Sequence, residues 1–218
     1  MKCLQLAIDG PAGAGKSSVS KLVAERLKLS HVDTGAMYRA VTLEALKRGI
    51  NLSNEDDFSF VKDIQIDQKN ERIYLNNTDV STEIRSKKVT LNVSLVARHR
   101  IVRESMVLIQ REIASKSSIV MDGRDIGYHV LPNADLKIYL NASIQKRAER
   151  RRLEILEKGH DVDLELIIKE IEERDMKDSN RELNPLRKAD DAIEVDTTDL
   201  TIEQTVDEIV LLARKRGF

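Results

Sequence analysis

A single cysteine, Cys3, stands in 218 residues, which excludes an intramolecular disulfide and fits a reducing compartment. Aromatic residues make up only 3% of the chain and tryptophan is absent, while 36 Lys and Arg against 37 Asp and Glu leave a net charge of −1. A near-neutral chain with few aromatics has neither the basic surface nor the stacking groups of a general nucleic-acid binder, and any basic cluster must be judged locally. Long hydrophobic runs are missing too. The apolar stretches are strand-sized and Asp9 interrupts the first, so neither a signal peptide nor a spanning helix is expected. These absences predict a soluble cytoplasmic protein with no membrane and no nucleic-acid partner. Internal repeats and low-complexity stretches are also lacking.

The most informative stretch that is present is Gly10-Pro11-Ala12-Gly13-Ala14-Gly15-Lys16-Ser17. It fits the phosphate-loop pattern G-x-x-x-x-G-K-[ST] at every fixed position, a coincidence expected in roughly one chain in a hundred of this length. Its glycines let successive backbone N–H groups turn inward around a phosphate. Lys16 adds a mobile positive charge, Ser17 offers a hydroxyl to Mg2+, and a helix starting here points the positive end of its dipole at the anion. The flanks suit the motif. Leu4 to Ile8 reads as a short apolar strand, and Val19, Leu22, Val23 and Leu27 form a helical stripe.

Further along, residues 29–33 suggest a second strand ending in Asp33, followed by a helix with Met37, Val41 and Ala45 on one side that Gly49 can cap. His31 in that strand is expected to be structural. Residues 63–81 change character: two alternating runs, around Ile64 and Ile73, are separated by turns at Lys69-Asn70 and Asn76-Asn77. They predict a three-stranded antiparallel meander inserted into the chain. A helix with Val102, Met106, Ile109 and Ile113 on one face should follow, then strands at 118–121, 136–140 and 192–195. Strands alternating with helices argue for an α/β fold, a parallel sheet of about five strands covered on both faces. Its carboxyl ends would carry the glycine loop, Asp33, Asp122 and Asn141, where ligands bind in such sheets.

From Ile144 to Arg152 the chain is dense in cations, and Leu164, Ile167, Ile168 and Ile171 mark a second helix beyond Gly159. Two charged helices joined there resemble a lid hairpin. Most helical charge runs are solvated faces, and Glu170, Glu172 and Glu173 are read that way. The arginines differ, because an enzyme that moves a phosphoryl group needs cations around the transferring oxygens. The terminal helix should start on a Thr201/Gln204 capping box and bury Val206, Ile209, Val210 and Ala213.

A phosphate loop alone allows a kinase, a motor, a GTP switch or an ATP-driven machine. The guanine-selecting Asn-Lys-x-Asp motif is absent. A compact chain with an insertion after its second strand and an arginine-rich lid fits a small-molecule kinase. Asp33-Thr34-Gly-Ala-Met-Tyr38-Arg39 and Asp122-Gly-Arg124-Asp125-Ile-Gly127 carry a closer likeness, joined by the phosphate loop, residues 79–85, Arg147 to Arg152 and Arg174 to Arg181. Over essentially the whole chain the sequence resembles the bacterial cytidylate kinases, nucleoside-monophosphate kinases of the P-loop class that phosphorylate CMP and dCMP.

The resemblance implies the nucleoside-monophosphate kinase fold as one domain over 1–218, with a monophosphate-binding insertion at 60–92 and a lid with its arginine-rich segment at 146–180. ATP would lie on Gly10, Pro11, Ala12, Gly13, Ala14, Gly15, Lys16, Ser17 and Ser18. Ser94, Arg103 and Asp125 fall where cytosine is read, with Thr34 and Tyr38 beside the acceptor. Arg39, Arg124 and Arg181 fall where its phosphate is held, and Arg174 and Asp178 where the sugar is contacted. Catalysis would rest on Lys16, Arg124 and the lid residues Arg147 and Arg151. Mg2+ would be held by Ser17, with Asp33 or Asp122 supporting it through water. A monomer is implied. The alternatives are a kinase of the same architecture for UMP or a small metabolite, and a non-catalytic ATP-binding switch.

Overall fold

The computed structural model describes residues 3–69, 71–157 and 159–218, so Asn70 of one expected turn lies outside the described residues. A five-stranded parallel sheet is built from β1 (Gln5–Asp9), β2 (Ser30–Asp33), β6 (Ile119–Gly123), β7 (Leu136–Asn141) and β8 (Ile193–Asp196), in the order β2-β6-β1-β7-β8. β1 lies between β6 and β7, with Ile8 opposite Asp122 and Ile138. After β6 the chain crosses to the other side of β1, so the carboxyl end of β1 stands where the strand order reverses, the position at which open α/β sheets bind ligands.

The chain forms two compact units, Met1–His31 with Ser117–Phe218, and Val32–Lys116. In the first, α1 (Lys16–Leu27) and α7 (Ile202–Arg214) pack together over the sheet. Val19 and Val23 of α1 meet Leu6, Ile8, Val120, Ile138 and Leu140 of the strands and Val206, Ile209 and Val210 of α7. The expected capping box forms, with Thr201 and Gln204 each bonding the other's backbone N–H. Helices α5 (Ile144–Leu156) and α6 (Leu164–Ser179) share a smaller core of Ala148, Ile167 and Ile171 that also takes in Ala12 of the glycine loop. Gly159, between them, adopts a φ of 79° that a residue with a Cβ resists.

The second unit begins with α2 (Thr34–Arg48), capped by the Asp33 carboxylate at its start and by Gly49, at φ 66°, at its end. The antiparallel sheet of β3 (Ile66–Lys69), β4 (Arg72–Leu75) and β5 (Thr78–Asp79) follows a 3-10 segment at Glu55–Lys62. Two further helices, α3 (Lys87–Val96) and α4 (Arg100–Lys116), complete the unit. α3 was not anticipated, although its Ser86 cap and the buried Val89, Val93 and Val96 carry a helical signal. On α4 the buried face is rotated from the expected stripe. Val102 and Met106 are buried, but Arg103 and Gln110 take the places assigned to Ile109 and Ile113. Hydrophobic periodicity overlooks such polar core positions.

Candidate active site

Gly15 starts α1 with φ 84°, and Gly10 and Gly13 also have positive φ. At Gly10 the need is steric as well, since a Cβ there would overlap the Leu140 carbonyl; at Gly13 it would stand 3.1 Å from Arg147 Cβ. The loop is thus folded tightly against β7 and α5. Lys16 Nζ, buried, donates to the Pro11 carbonyl at 2.7 Å, across the loop that it belongs to. Burial, and then the nearby Arg124, hold its pKa well below the ordinary lysine range.

Asp122, at the end of β6, uses both carboxylate oxygens. Ser17 Oγ donates to Oδ2 at 2.9 Å and His31 Nε2 contacts Oδ1 at 2.8 Å. Ser17 and Asp122 therefore form a pair of hard oxygen donors beside the glycine loop, of the kind that suits Mg2+ shared with phosphates and water. Among the described residues no cluster of three or more His, Cys, Asp or Glu could hold a metal by itself. In the second unit Asp33 Oδ1 accepts from Ala36 N at 2.9 Å as the α2 cap.

The phosphate loop is held from outside by residues of α5 and α6. Asp175 Oδ1 accepts from Ala12 N at 2.9 Å, and Arg147 donates to the Ala12 carbonyl at 2.9 Å and the Ala142 carbonyl at 3.1 Å. Arg147 also pairs with the Asp175 carboxylate. Both main-chain polar atoms of Ala12 are thereby anchored. Arg151 is instead half exposed and paired with Glu154 at 2.8 Å.

Close by, Arg124 Nε donates to Asp178 Oδ2 at 3.0 Å, both side chains being largely buried. Burial opposes charge on each, yet Asp178 raises the Arg124 pKa, and Arg124, Arg174 and Arg181 hold the Asp178 carboxyl below its usual range. For Arg174, burial and then the repulsion of Arg124 lower the pKa to about 10. Three arginines, Arg124, Arg174 and Arg181, are thus drawn together around the Asp178 carboxylate. Arg181 donates to Asp125 Oδ1 at 3.3 Å and to the Asn184 carbonyl at 2.6 Å. Asp125 and Arg181 thus form a buried ion pair.

In the second unit, Thr34 and Tyr38 are buried on α2, and the guanidinium of Arg103 lies 5.5 Å from the centre of the Tyr38 ring. Arg103 donates to the Ala97 carbonyl at 3.2 Å, and Arg39 to the Ile84 carbonyl at 3.2 Å and Thr90 Oγ1 at 2.9 Å. Ser94 is partly exposed on α3.

Three residues gain a place at the site that the sequence did not suggest. Asp175 holds the loop, His31 holds Asp122, and Asp9 accepts from Ile126 N at 2.9 Å and Gly127 N at 2.7 Å. Asp9 is pushed up to about 7, by burial first. Its interruption of an apolar strand was the available signal. His31, expected to be structural, does hold another side chain, and Asp175 lies in the Arg174 to Arg181 stretch, where nothing in the spacing set it apart.

A glycine loop at the switch point of a parallel α/β sheet, with a buried lysine, a Ser/Asp oxygen pair and a cluster of arginines, defines a P-loop phosphotransferase. Solved structures agree on the fold. A shikimate kinase from Acinetobacter baumannii is similar over 100% of this chain and 96% of its own at a TM-score of 0.51 and 15% identity. An uncharacterised protein from Eubacterium ventriosum is similar over 98% of this chain and 99% of its own, with a TM-score of 0.54 and 15% identity. The family model for cytidylate kinase matches residues 6–215. Cytidylate kinases from Bacillus thuringiensis and Bacillus cereus are each 50% identical over 214 residues, covering 96% of this chain and 95% of theirs. The chain belongs to the cytidylate kinase family and is an ATP-dependent nucleoside-monophosphate kinase.

Proposed function

We propose that the enzyme transfers the γ-phosphoryl group of ATP in line to the 5′-phosphate of CMP or dCMP, giving ADP and CDP or dCDP. The observation that carries this reading is the 50% identity to cytidylate kinases over 96% of the chain. The acceptor oxygen already bears charge, so no strong base is required and catalysis rests on positioning and on cations. The loop from Gly10 to Ser18 cradles the ATP phosphates, and Lys16 exchanges its bond to Pro11 for the β and γ oxygens. Ser17 would hold Mg2+ and Asp122 would support it through water; the Ser17–Asp122 hydrogen bond favours Asp122 over Asp33, whose carboxylate caps α2. Bound there, the ion would neutralise phosphate charge.

Asp125 accepts from the exocyclic amine of cytosine, while Ser94 and Arg103 meet the ring's O2 and N3 acceptors. Uracil would put a carbonyl oxygen opposite Asp125, at the loss of a charge-assisted hydrogen bond and with repulsion besides. Thr34 and Tyr38 flank the acceptor. Arg39, Arg124 and Arg181 hold its phosphate, and Arg174 and Asp178 its sugar. The segment 60–92 acts as the monophosphate-binding insertion and 146–180 as the lid, whose closure excludes water and limits wasteful ATP hydrolysis. Of Arg147 and Arg151, the second, paired on the surface with Glu154, would change partners on closure, while Arg147 would act through the phosphate loop it anchors. No helix among the described residues is long and apolar enough to cross a membrane, and we take the enzyme to work as a cytoplasmic monomer.

The test is ADP release from ATP and Mg2+ with CMP, dCMP, UMP or AMP as acceptor, for the wild type and Asp125→Ala. The expected result is a rate favouring the cytidine nucleotides, with the preference reduced about 10- to 100-fold in the variant. Equal rates with all four acceptors would defeat the assignment of the base.

A further inference from the structure

We infer that Asp9 is a positioning residue for recognition of the acceptor base: from the last position of β1 its carboxylate fixes the backbone turn that presents Asp125. This rests on the reading of Asp125 proposed above.

Asp9 is 3% exposed and immediately precedes the phosphate loop. Its two oxygens are spent on consecutive peptide groups: Oδ1 accepts from Ile126 N at 2.9 Å and Oδ2 from Gly127 N at 2.7 Å. Those are the two residues that follow Asp125. The same turn is closed from its other end, where the Asp125 carbonyl accepts from His129 N at 3.0 Å and Val130 N at 3.2 Å, and Leu131 N reaches the Ile126 carbonyl at 2.7 Å. The result is a single wide helical turn over Ile126–Val130. Gly127 is what lets the carboxylate come so near. A Cβ there would stand 3.3 Å from Asp9 Oδ2 and 3.3 Å from Lys137 Cδ.

A buried carboxylate is a costly way to hold a turn, and an apolar residue would complete β1 at lower cost. What the carboxylate supplies, and an apolar side chain cannot, is a fixed direction for two N–H groups and hence for the residue before them. A hydrogen bond weakens steeply as its geometry departs from ideal, so a small rotation of this turn would move the Asp125 carboxylate off the cytosine amine. Asp9 touches no reacting atom. Its main chain belongs to the strand that ends in the phosphate loop and its side chain to the acceptor-base turn, so it links the donor side of the site to the acceptor side.

The experiment compares kcat/KM for CMP and for UMP, together with KM for ATP, in the wild type, Asp9→Asn, Gly127→Ala and Asp125→Ala. Asp9→Asn keeps the shape of the side chain but sets an NH2 donor against one of the two peptide N–H groups. The expected result is a fall of about 10-fold in the CMP-to-UMP ratio, mainly through a higher KM for CMP, with KM for ATP within about 2-fold of wild type. Gly127→Ala, which pushes on the same carboxylate, should lower the ratio in the same direction. Loss of folded enzyme would depress both acceptors alike and leave the ratio where it was. If Asp125→Ala collapses the ratio while both other variants keep the wild-type value, the inference about Asp9 is wrong and the reading of Asp125 stands. An unchanged ratio in Asp125→Ala overturns both. Should Asp9→Asn fail to fold, Gly127→Ala decides the question by itself.

Discussion

In the first compact unit three site arginines lie against carboxylates, Arg124 on Asp178, Arg147 on Asp175 and Arg181 on Asp125. Within the second unit Arg39 rests on the Ile84 carbonyl and the Thr90 hydroxyl, and Arg103 on the Ala97 carbonyl and the face of Tyr38. The two devices fix a guanidinium at different risk. Removing one member of a buried ion pair strands the other charge in a poor solvent, whereas losing a neutral acceptor costs about one ordinary hydrogen bond. For the unit that holds the phosphate loop, each of these ion pairs is thus fragile toward a single substitution and sets a charge in place before the reaction. That suits its part in the reaction, since preorganised charge does its work without rearranging in the transition state.

The contrast is sharpened first at Lys16, the buried cation of the phosphate loop. Lys16→Ala should reduce kcat about 10²- to 10³-fold in a coupled ADP-release assay, with little loss of fold. The next largest effect is expected at Asp175. Asp175→Ala leaves Arg147 without its carboxylate and Ala12 N without its acceptor, and should lower the unfolding free energy by about 3 kcal/mol in urea titrations and raise KM for ATP. A variant as stable as the wild type would break the distinction drawn between a buried ion pair and a neutral contact.

Asp9 gives the pH dependence. Its carboxyl is raised from the ordinary aspartate value of 3.8 to about 7 in the folded chain, by burial first. Between those values the native state keeps a proton that the unfolded chain has lost, so this contribution to stability falls as pH rises, by at most about 1.4 kcal/mol per unit, and is level above pH 7. The stability difference between wild type and Asp9→Asn, measured from pH 4 to 8, should show that slope. The smallest effect belongs to the second unit: Thr90→Val removes a neutral acceptor from Arg39 and should cost about 1 kcal/mol or less in stability, with a few-fold rise in KM for the acceptor at most.

Much of the sheet and of the donor half of the site was legible in the chain because local chemistry specifies it. Three glycines with Lys16 and Ser17 at fixed spacing describe a phosphate loop wherever they follow a strand, and the period-2 run of Ile73 to Leu75 describes a strand. α4 was placed correctly but its buried face was not, since Arg103 and Gln110 are polar and hydrophobic periodicity passes over them. The Ile126–Val130 turn was invisible for a related reason. It is held by Asp9, 117 residues earlier, and not by its own side chains.

What the sequence by itself determined is therefore the class of chemistry: the loop, the strand that feeds it, the α/β alternation and the set of arginines and aspartates that resemble a cytidylate kinase. Tertiary structure alone decided which of those charges meet. Arg147 turned out to clasp the loop through Ala12, Asp122 to join Ser17 with His31, and Asp9 to steady the turn of Asp125. A hydrogen bond is set by distance and angle to within fractions of an ångström, and between residues far apart in the chain that geometry exists only after the sheet has brought its strand ends together.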